Sequence, residues 1–100
     1  MAYGTALAAL ADPTRRSMFE RIRRRPHAVG ELARAVSISQ PAASQHLQVL
    51  RRAHLVRERR EGTRRIYGVD PKGLTALRTY VESLWDDVLL AYAGKGAPRS

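Results

Sequence analysis

The sequence contains no cysteine, so disulfides, thiolate metal sites and cysteine nucleophiles are all excluded. Aromatic residues make up only 6% of the chain, which leaves no platform on which RNA bases could stack. No apolar run approaches transmembrane length, and the N-terminal apolar stretch is broken by Asp12 and Pro13, unlike a signal peptide. We therefore expect a cytoplasmic protein with no membrane partner.

Negative charge is also scarce. The chain has 18 Lys and Arg against 9 Asp and Glu, a formal net charge of +9. Residues 13–69 hold fourteen Arg against four Glu, a balance of +10, whereas residues 70–93 hold four acids against two bases. This distribution indicates a polyanion partner for the basic part and a different task for the C-terminal part. A generally basic proteome, rich in arginine, is the alternative explanation.

The length of 100 residues, 44% of them hydrophobic, is typical of one domain with a modest core. We expect this domain to cover residues 1–93 and a disordered tail to cover residues 94–100. A domain of this size is only marginally stable alone and often dimerises.

Helical periodicity predicts four helices before the middle of the chain. They cover residues 5–11, 13–25, 29–36 and about 40–53. Asp12 with Pro13, and Ser39 with Pro41, are typical residues for the start of a helix. Because only three residues join the third and fourth helices, the pair fits a helix-turn-helix.

The remaining sequence predicts a hairpin and one long helix. Residues 55–69 alternate as strands do, and Gly62 suits the turn between them. From Pro71 to Ala93, apolar residues recur every three or four positions, over roughly 34 Å of helix. Such a stripe is too long for this small domain to bury, so we expect it to pack against a second copy. A helix folded back over its own core is the alternative.

Three segments together resemble the ArsR family of bacterial repressors. They are "ALADPTRRSMFERI", "VGELARAVSISQPAASQHLQVLRRAHLV" and "RERREGTRRIYGVD", and they lie in the order typical of that family. The resemblance covers about residues 5–93. It implies a mainly α fold with a small β-hairpin, a winged helix-turn-helix in the order α-α-α-α-β-β-α. It also implies a homodimer formed through the first and last helices.

The same resemblance implies a sequence-specific DNA-binding transcriptional repressor, which binds a twofold-symmetric operator as a homodimer. The recognition helix, about residues 40–53, would enter the major groove, and the wing, about residues 55–69, would lie on the backbone or in the minor groove. No cofactor is expected. No enzyme is expected either, because the three histidines and nine acids form no nucleophile–base pair. The inducing signal is left open between a small molecule, a partner protein and none.

Candidate site residues fall into three sets. Those of the recognition helix are Ser39, Gln40, Pro41, Ala42, Ser44, Gln45, His46 and Gln48. Those of the wing and the backbone contacts are Arg52, Arg59, Arg60, Thr63, Arg64 and Arg65. Those of the dimer interface are Leu7, Leu10, Leu77, Val81, Leu84, Trp85, Val88 and Tyr92. Short uncharged side chains let a helix approach base edges, whereas arginines supply affinity through phosphates.

Departures from the family pattern indicate a metal-blind branch. Where many relatives have thiolates, residues 31–36 read "ELARAV", and the last helix has Glu82, Asp86 and Asp87 but no histidine. Borderline metals prefer imidazole or thiolate ligands, so no metal site is expected. A metal-responsive repressor using these three acids is one alternative function, and a winged-helix protein-interaction module is the other.

Two histidines leave alternatives open. His54 stands where most relatives have glycine, at a helix end that adopts a left-handed conformation. It is either a tolerated substitution or a residue that contacts phosphate or reports pH. His46 either contacts DNA or lies at the boundary of the core.

Overall fold

The computed structural model describes residues 2–94, with the side chains of residues 4–92. The elements, in chain order, are α1 (Ala2–Ala11), α2 (Pro13–Arg24), β1 (His27–Ala28), α3 (Val29–Ala35), α4 (Gln40–Arg52), β2 (Val56–Glu61), β3 (Arg64–Val69) and α5 (Pro71–Gly94). The predicted winged helix-turn-helix with five helices and a hairpin is therefore confirmed. Of the tail expected over residues 94–100, only Gly94 lies within the described residues, and there it ends α5.

The start of α2 follows from its capping residues. The Asp12 carboxylate accepts a hydrogen bond of 2.9 Å from the backbone N–H of Arg15, and Pro13 occupies the first turn. The buried stripe of α2 is Met18, Phe19 and Ile22, as predicted.

The helix-turn-helix is built from local signals of the same kind. The hydroxyl of Ser39 accepts a hydrogen bond from the N–H of Ala42 at 3.2 Å, which caps the first turn of α4. Pro41 lies within that turn. Ala43, Leu47 and Leu50 are completely buried, which fixes the opposite face of α4 toward solvent. This orientation positions the candidate recognition residues.

The three-stranded sheet has the order β1-β3-β2, with antiparallel pairing throughout. The two-residue strand β1 was not predicted, because two residues carry no periodicity of their own. It exists because β3 offers a free edge, on which His27 pairs with Tyr67 and Ala28 with Ile66. The hairpin turn has Gly62 at a φ of +63°, a conformation that glycine adopts without strain.

The junction between α4 and α5 is compact. His54 has a φ of +58°, which confirms the predicted left-handed residue after the recognition helix. Its N–H donates to the carbonyl of Arg51 at 2.9 Å. Its own carbonyl accepts from the N–H of Gly73 at 2.7 Å, so the first turn of α5 is fastened to the end of α4.

Most of α5 projects beyond the core, and the described chain is 60 Å long but only about 23 Å wide. Its contacts within the chain are mainly with α1. A set of exposed apolar side chains, here named the α1/α5 face, comprises Leu7, Val81, Leu84, Trp85, Val88, Leu89 and Tyr92. Leu10 and Leu77, which were predicted to belong to the same surface, pack partly against the chain's own core. Among the described residues, no helix is long and apolar enough to cross a membrane.

Acid is expected to destabilise the chain through Asp12. The pKa of this carboxyl is lowered, first by the hydrogen bond from the Arg15 backbone and then by the charge of the Arg15 guanidinium. The contribution of the ionised Asp12 carboxylate to stability is complete above its ordinary pKa of 3.8 and is lost as the pH falls through the lowered pKa of the folded state.

Asp12→Asn keeps a capping oxygen and removes only the charge. Urea unfolding should show the wild type to be more stable than Asp12→Asn at about pH 6. The difference between their free energies of unfolding should shrink as the pH falls to about 3. A gap that does not change with pH would contradict this role for Asp12.

Candidate nucleic-acid interface

The amino-terminal half of α4 presents an uncharged polar surface. Ser39, Gln40, Pro41 and Gln45 are exposed, and Ala42 and Gln48 are half-buried. None of these residues carries a charge, and the backbone of the first turn is open to approach. Amide and hydroxyl groups both donate and accept hydrogen bonds, as base edges in the major groove require.

Two other residues predicted for this surface are engaged by arginines of neighbouring elements. The Ser44 hydroxyl accepts a hydrogen bond from Arg65 of β3 at 2.8 Å. Nδ1 of His46 accepts from Nε of Arg15 at 3.4 Å. Arg15 belongs to α2 and donates in addition to the carbonyl of Ala9 in α1 at 3.2 Å. The hydrogen bond between Arg15 and His46 agrees with the alternative that His46 lies at the boundary of the core.

The register of the hairpin separates the wing arginines into two faces. Arg60 lies opposite Arg65, whereas Arg59 lies opposite Ile66. Because side chains alternate along a strand and Arg65 reaches α4, Arg60 and Arg65 lie on the face of the hairpin that is directed toward the recognition helix. The other face carries Arg59 and Arg64.

A polar cleft of about 330 Å³ separates the wing tip from α3 and the start of α4. It is lined by Ala28, Val29, Gly30, Glu31, Arg34, Gln40, Thr63, Arg64 and Arg65. Arg34 is exposed and was not among the predicted site residues. Its position on α3, away from the buried Val29, Leu32 and Ala33, is the signal that could have identified it.

The cleft has one acid at its edge. Glu31 forms an ion pair with Arg25 at 3.7 Å and accepts a hydrogen bond from the N–H of Ala28 at 2.9 Å. The pKa of Glu31 is lowered, first by this backbone hydrogen bond, and the charge of Arg64 also contributes. The acid therefore stays ionised and partly compensates the arginines around it.

Glu58 of β2 lies on the hairpin face that carries Arg65, and it forms ion pairs with two arginines. These are Arg51 of α4, at 3.5 Å, and Arg65 of β3, at 3.8 Å. Tyr67 pairs with Glu58 across the hairpin, and the pKa of its hydroxyl is raised, first by burial and then by the charge of Glu58. Arg51 is therefore paired with a carboxylate of the wing.

The remaining candidates are solvent-facing. Arg52 is exposed at the end of α4, and Thr63 is exposed in the wing turn. On α5, Glu82 pairs with Arg78 at 3.0 Å. Within the part of the chain that the structure describes, no group of three or more His, Asp or Glu side chains is placed to hold a metal ion.

Known proteins match both the sequence and the fold. A family model described as a helix-turn-helix domain matches residues 10–59. The HTH-type transcriptional regulator Rv2034 of Mycobacterium tuberculosis is 54% identical over 88 residues, which are 88% of this chain and 82% of that protein.

Solved structures of transcriptional regulators also match the fold. A protein described as a possible transcriptional regulator for arsenical resistance is 40% identical, with a TM-score of 0.72 over 85% of this chain and 92% of that one. The homodimeric winged helix-turn-helix DNA-binding domain of Mb0332 from Mycobacterium bovis, described as a possible ArsR-family regulator, is 29% identical. Its TM-score is 0.69 over 86% of this chain and 80% of that one.

These relatives are named as transcriptional regulators, which are not enzymes. The match in sequence extends over 88% of the chain, and the match in fold over 85% of it. The chain therefore belongs to the ArsR family of winged helix-turn-helix transcriptional regulators.

Proposed function

We propose that this chain represses transcription in the cytoplasm by binding a twofold-symmetric operator as a homodimer. The observation that carries the proposal is the uncharged, solvent-facing start of α4, which lies between the basic wing and the arginine-rich α2. A helix with this surface fits the major groove, and arginines on both sides of it meet the phosphates that flank the groove.

Within this proposal, base reading belongs to the first two turns of α4. Gln40 and Gln45 are exposed, so their amide groups face solvent and can reach base edges. Ser39, Pro41 and Ala42 let the helix approach closely, and Pro41 and Ala42 also offer apolar contact to a thymine methyl group.

Phosphate contacts belong to the arginines. We assign this role to Arg52, Arg60 and Arg64, with Arg34 added because it lines the same cleft as Arg64. Arg59 is held by Glu61 of its own strand at 2.7 Å, so its contribution should be smaller.

The dimer in this proposal forms through the α1/α5 face. Seven large apolar side chains are exposed there, and Trp85 alone is 62% exposed. An exposed apolar surface of this extent is typical of an interface. Mb0332, which shares the fold, is described as homodimeric. The inducer that releases the operator is either a small molecule or a partner protein, if one exists.

The proposal is tested by titrating the protein with duplex fragments of its own promoter region and with random duplex. We expect preferential binding to one fragment, with an affinity that falls steeply as salt rises. Gln45→Ala should change which bases are preferred, by about 1–3 kcal/mol per base pair read. Arg64→Ala should weaken all sequences alike and reduce the salt slope by about 1.

The two variants act as controls for each other, because both remove one exposed polar side chain from the same interface. Equal affinity of the wild type for the promoter fragment and for random duplex would overturn the repressor assignment. A general loss of affinity with Gln45→Ala, together with altered base preference with Arg64→Ala, would instead reverse the assigned roles.

A further inference from the structure

Glu58 is an unexpected residue on a surface proposed to bind a polyanion. It lies on the hairpin face that also carries Arg60 and Arg65, and its side chain is only 19% exposed. A negative charge at such a place repels phosphate and lowers affinity, unless it has a structural role that outweighs the repulsion.

The contacts of Glu58 connect the wing to the recognition helix at one point. Its carboxylate pairs with Arg51 near the end of α4, at 3.5 Å. Its second oxygen pairs with Arg65 of the neighbouring strand, at 3.8 Å. Glu58 therefore neutralises one arginine from each of the two elements that would contact DNA.

Arg65 makes the second connection. Its guanidinium donates to the hydroxyl of Ser44 at 2.8 Å and lies 6.0 Å from the centre of the Tyr67 ring. Ser44 and Arg51 are seven residues apart on α4, which is about 10 Å along the helix axis. The wing is thus fastened to α4 at two points, about two turns apart, and two such points restrict rotation as well as separation.

Exposure distinguishes the pair between Glu58 and Arg65 from an ordinary surface ion pair. The side chains of Glu58 and Arg65 are 19% and 32% exposed, whereas those of Glu61 and Arg59 are 52% and 56% exposed. The pair between Arg59 and Glu61 joins residues of one strand, so it positions no other element. Exposed pairs contribute little, while partly buried charges that share several partners interact more strongly.

We propose that Glu58, Arg65 and Ser44 are positioning residues that hold the wing at a fixed angle to the recognition helix. This inference rests on the proposed function. It revises two DNA contacts predicted from the sequence, those of Ser44 and Arg65, because these side chains bind each other. The acid increases operator affinity by ordering the surface, although its charge alone would decrease it.

Glu58→Gln separates the two effects because they have opposite signs. Affinity for the preferred fragment should fall about tenfold, as for a residue coupled to its neighbours, with the salt slope unchanged. If the charge of Glu58 acted only by repulsion, affinity would rise instead, and that result would overturn the inference. Glu61→Gln is the matched control, and its affinity should equal or exceed that of the wild type.

A double-mutant cycle tests the link between Ser44 and Arg65. Ser44→Ala and Arg65→Gln should each weaken binding, and the double variant should be no weaker than Arg65→Gln alone. Arg65→Gln should also leave the salt slope unchanged, whereas loss of a phosphate contact would reduce it by about 0.9. If the losses of affinity of the two single variants multiply in the double variant, or if Arg65→Gln reduces the salt slope, the two residues contact DNA independently and the inference is overturned.

The controls distinguish failure of this inference from failure of the proposed function. A wild type without sequence preference would remove the basis of both. A wild type that binds its fragment specifically, together with a tighter-binding Glu58→Gln variant, would reject the positioning network alone. Thermal unfolding of each variant, monitored by circular dichroism, checks that the fold is retained.

Discussion

The double substitution Leu84→Glu and Val88→Glu is expected to convert the protein to a monomer and to weaken operator binding by about 10²–10⁴-fold. Both residues lie on α5, four positions apart and therefore on one face, and their exposed fractions are 47% and 46%. Glutamate is tolerated there in a monomer, because water solvates it, but it would be buried without a partner in a dimer.

The size of the effect comes from geometry rather than from lost DNA contacts. A dimer binds two half-sites with one molecule, so the second half-site is bound at a high effective concentration. A monomer has the same α4 and the same wing but lacks this advantage. The expected loss is therefore large, although both substitutions lie on α5, outside the recognition helix and the wing.

The matched control is Leu90→Glu. Leu90 belongs to the same helix and is 72% exposed, but it lies on the opposite side from Leu84 and Val88. Light scattering should show a dimer for the wild type and for Leu90→Glu, and a monomer for the double variant. A double variant that remains dimeric, or a monomer that binds the operator as tightly as wild type, would refute the α1/α5 interface.

Elements with local signals could be predicted from the sequence. Asp12 and Ser39 cap their helices through hydrogen bonds to residues three positions away. Gly62 and His54 have positive φ at a turn and at a helix end, where the sequence placed them. Each of these features depends on a few neighbouring residues, so the local sequence is enough to predict it.

Features that depend on distant residues could not be predicted in this way. Strand β1 forms only because β3 passes beside it. Ser44 and Arg65 are 21 positions apart, and Arg15 and His46 are 31 apart. Periodicity assigned Ser44 to the outer face of α4, and the family resemblance implied a DNA contact for His46, but neither could show that arginines from other elements contact these two side chains. Which predicted residues contact DNA remains a prediction.

The junction at His54 and Gly73 connects the two surfaces that the proposed function requires. Its hydrogen bond, from the N–H of Gly73 to the carbonyl of His54, joins the end of the recognition helix to the first turn of the proposed dimerisation helix. The distance between the two recognition helices of a dimer would therefore depend on how α5 leaves this junction. Displacement here should affect stability and DNA binding together.

Gly73→Ala is expected to lower the free energy of unfolding by about 1–3 kcal/mol, as overpacking of a tight contact does. A Cβ at this buried position would lie 2.5 Å from the carbonyl oxygen of Ala53 and 2.7 Å from that of His54. Both are backbone atoms, which cannot move without shifting the end of α4. The clash should outweigh the gain in helix propensity, which is at most about 1 kcal/mol.

The control is Gly4→Ala, in α1, where an added Cβ meets no atom within 4 Å. It should be neutral or slightly stabilising, so the difference between the two variants measures the clash at the junction. Thermal unfolding should show a midpoint lower by about 4–8 °C for each kcal/mol lost. Operator titration of Gly73→Ala well below that midpoint should show weaker binding by a protein that is still dimeric, because α5 and α4 no longer meet at the angle that the two half-sites require. A Gly73→Ala variant as stable as Gly4→Ala would show that the junction is free to adjust.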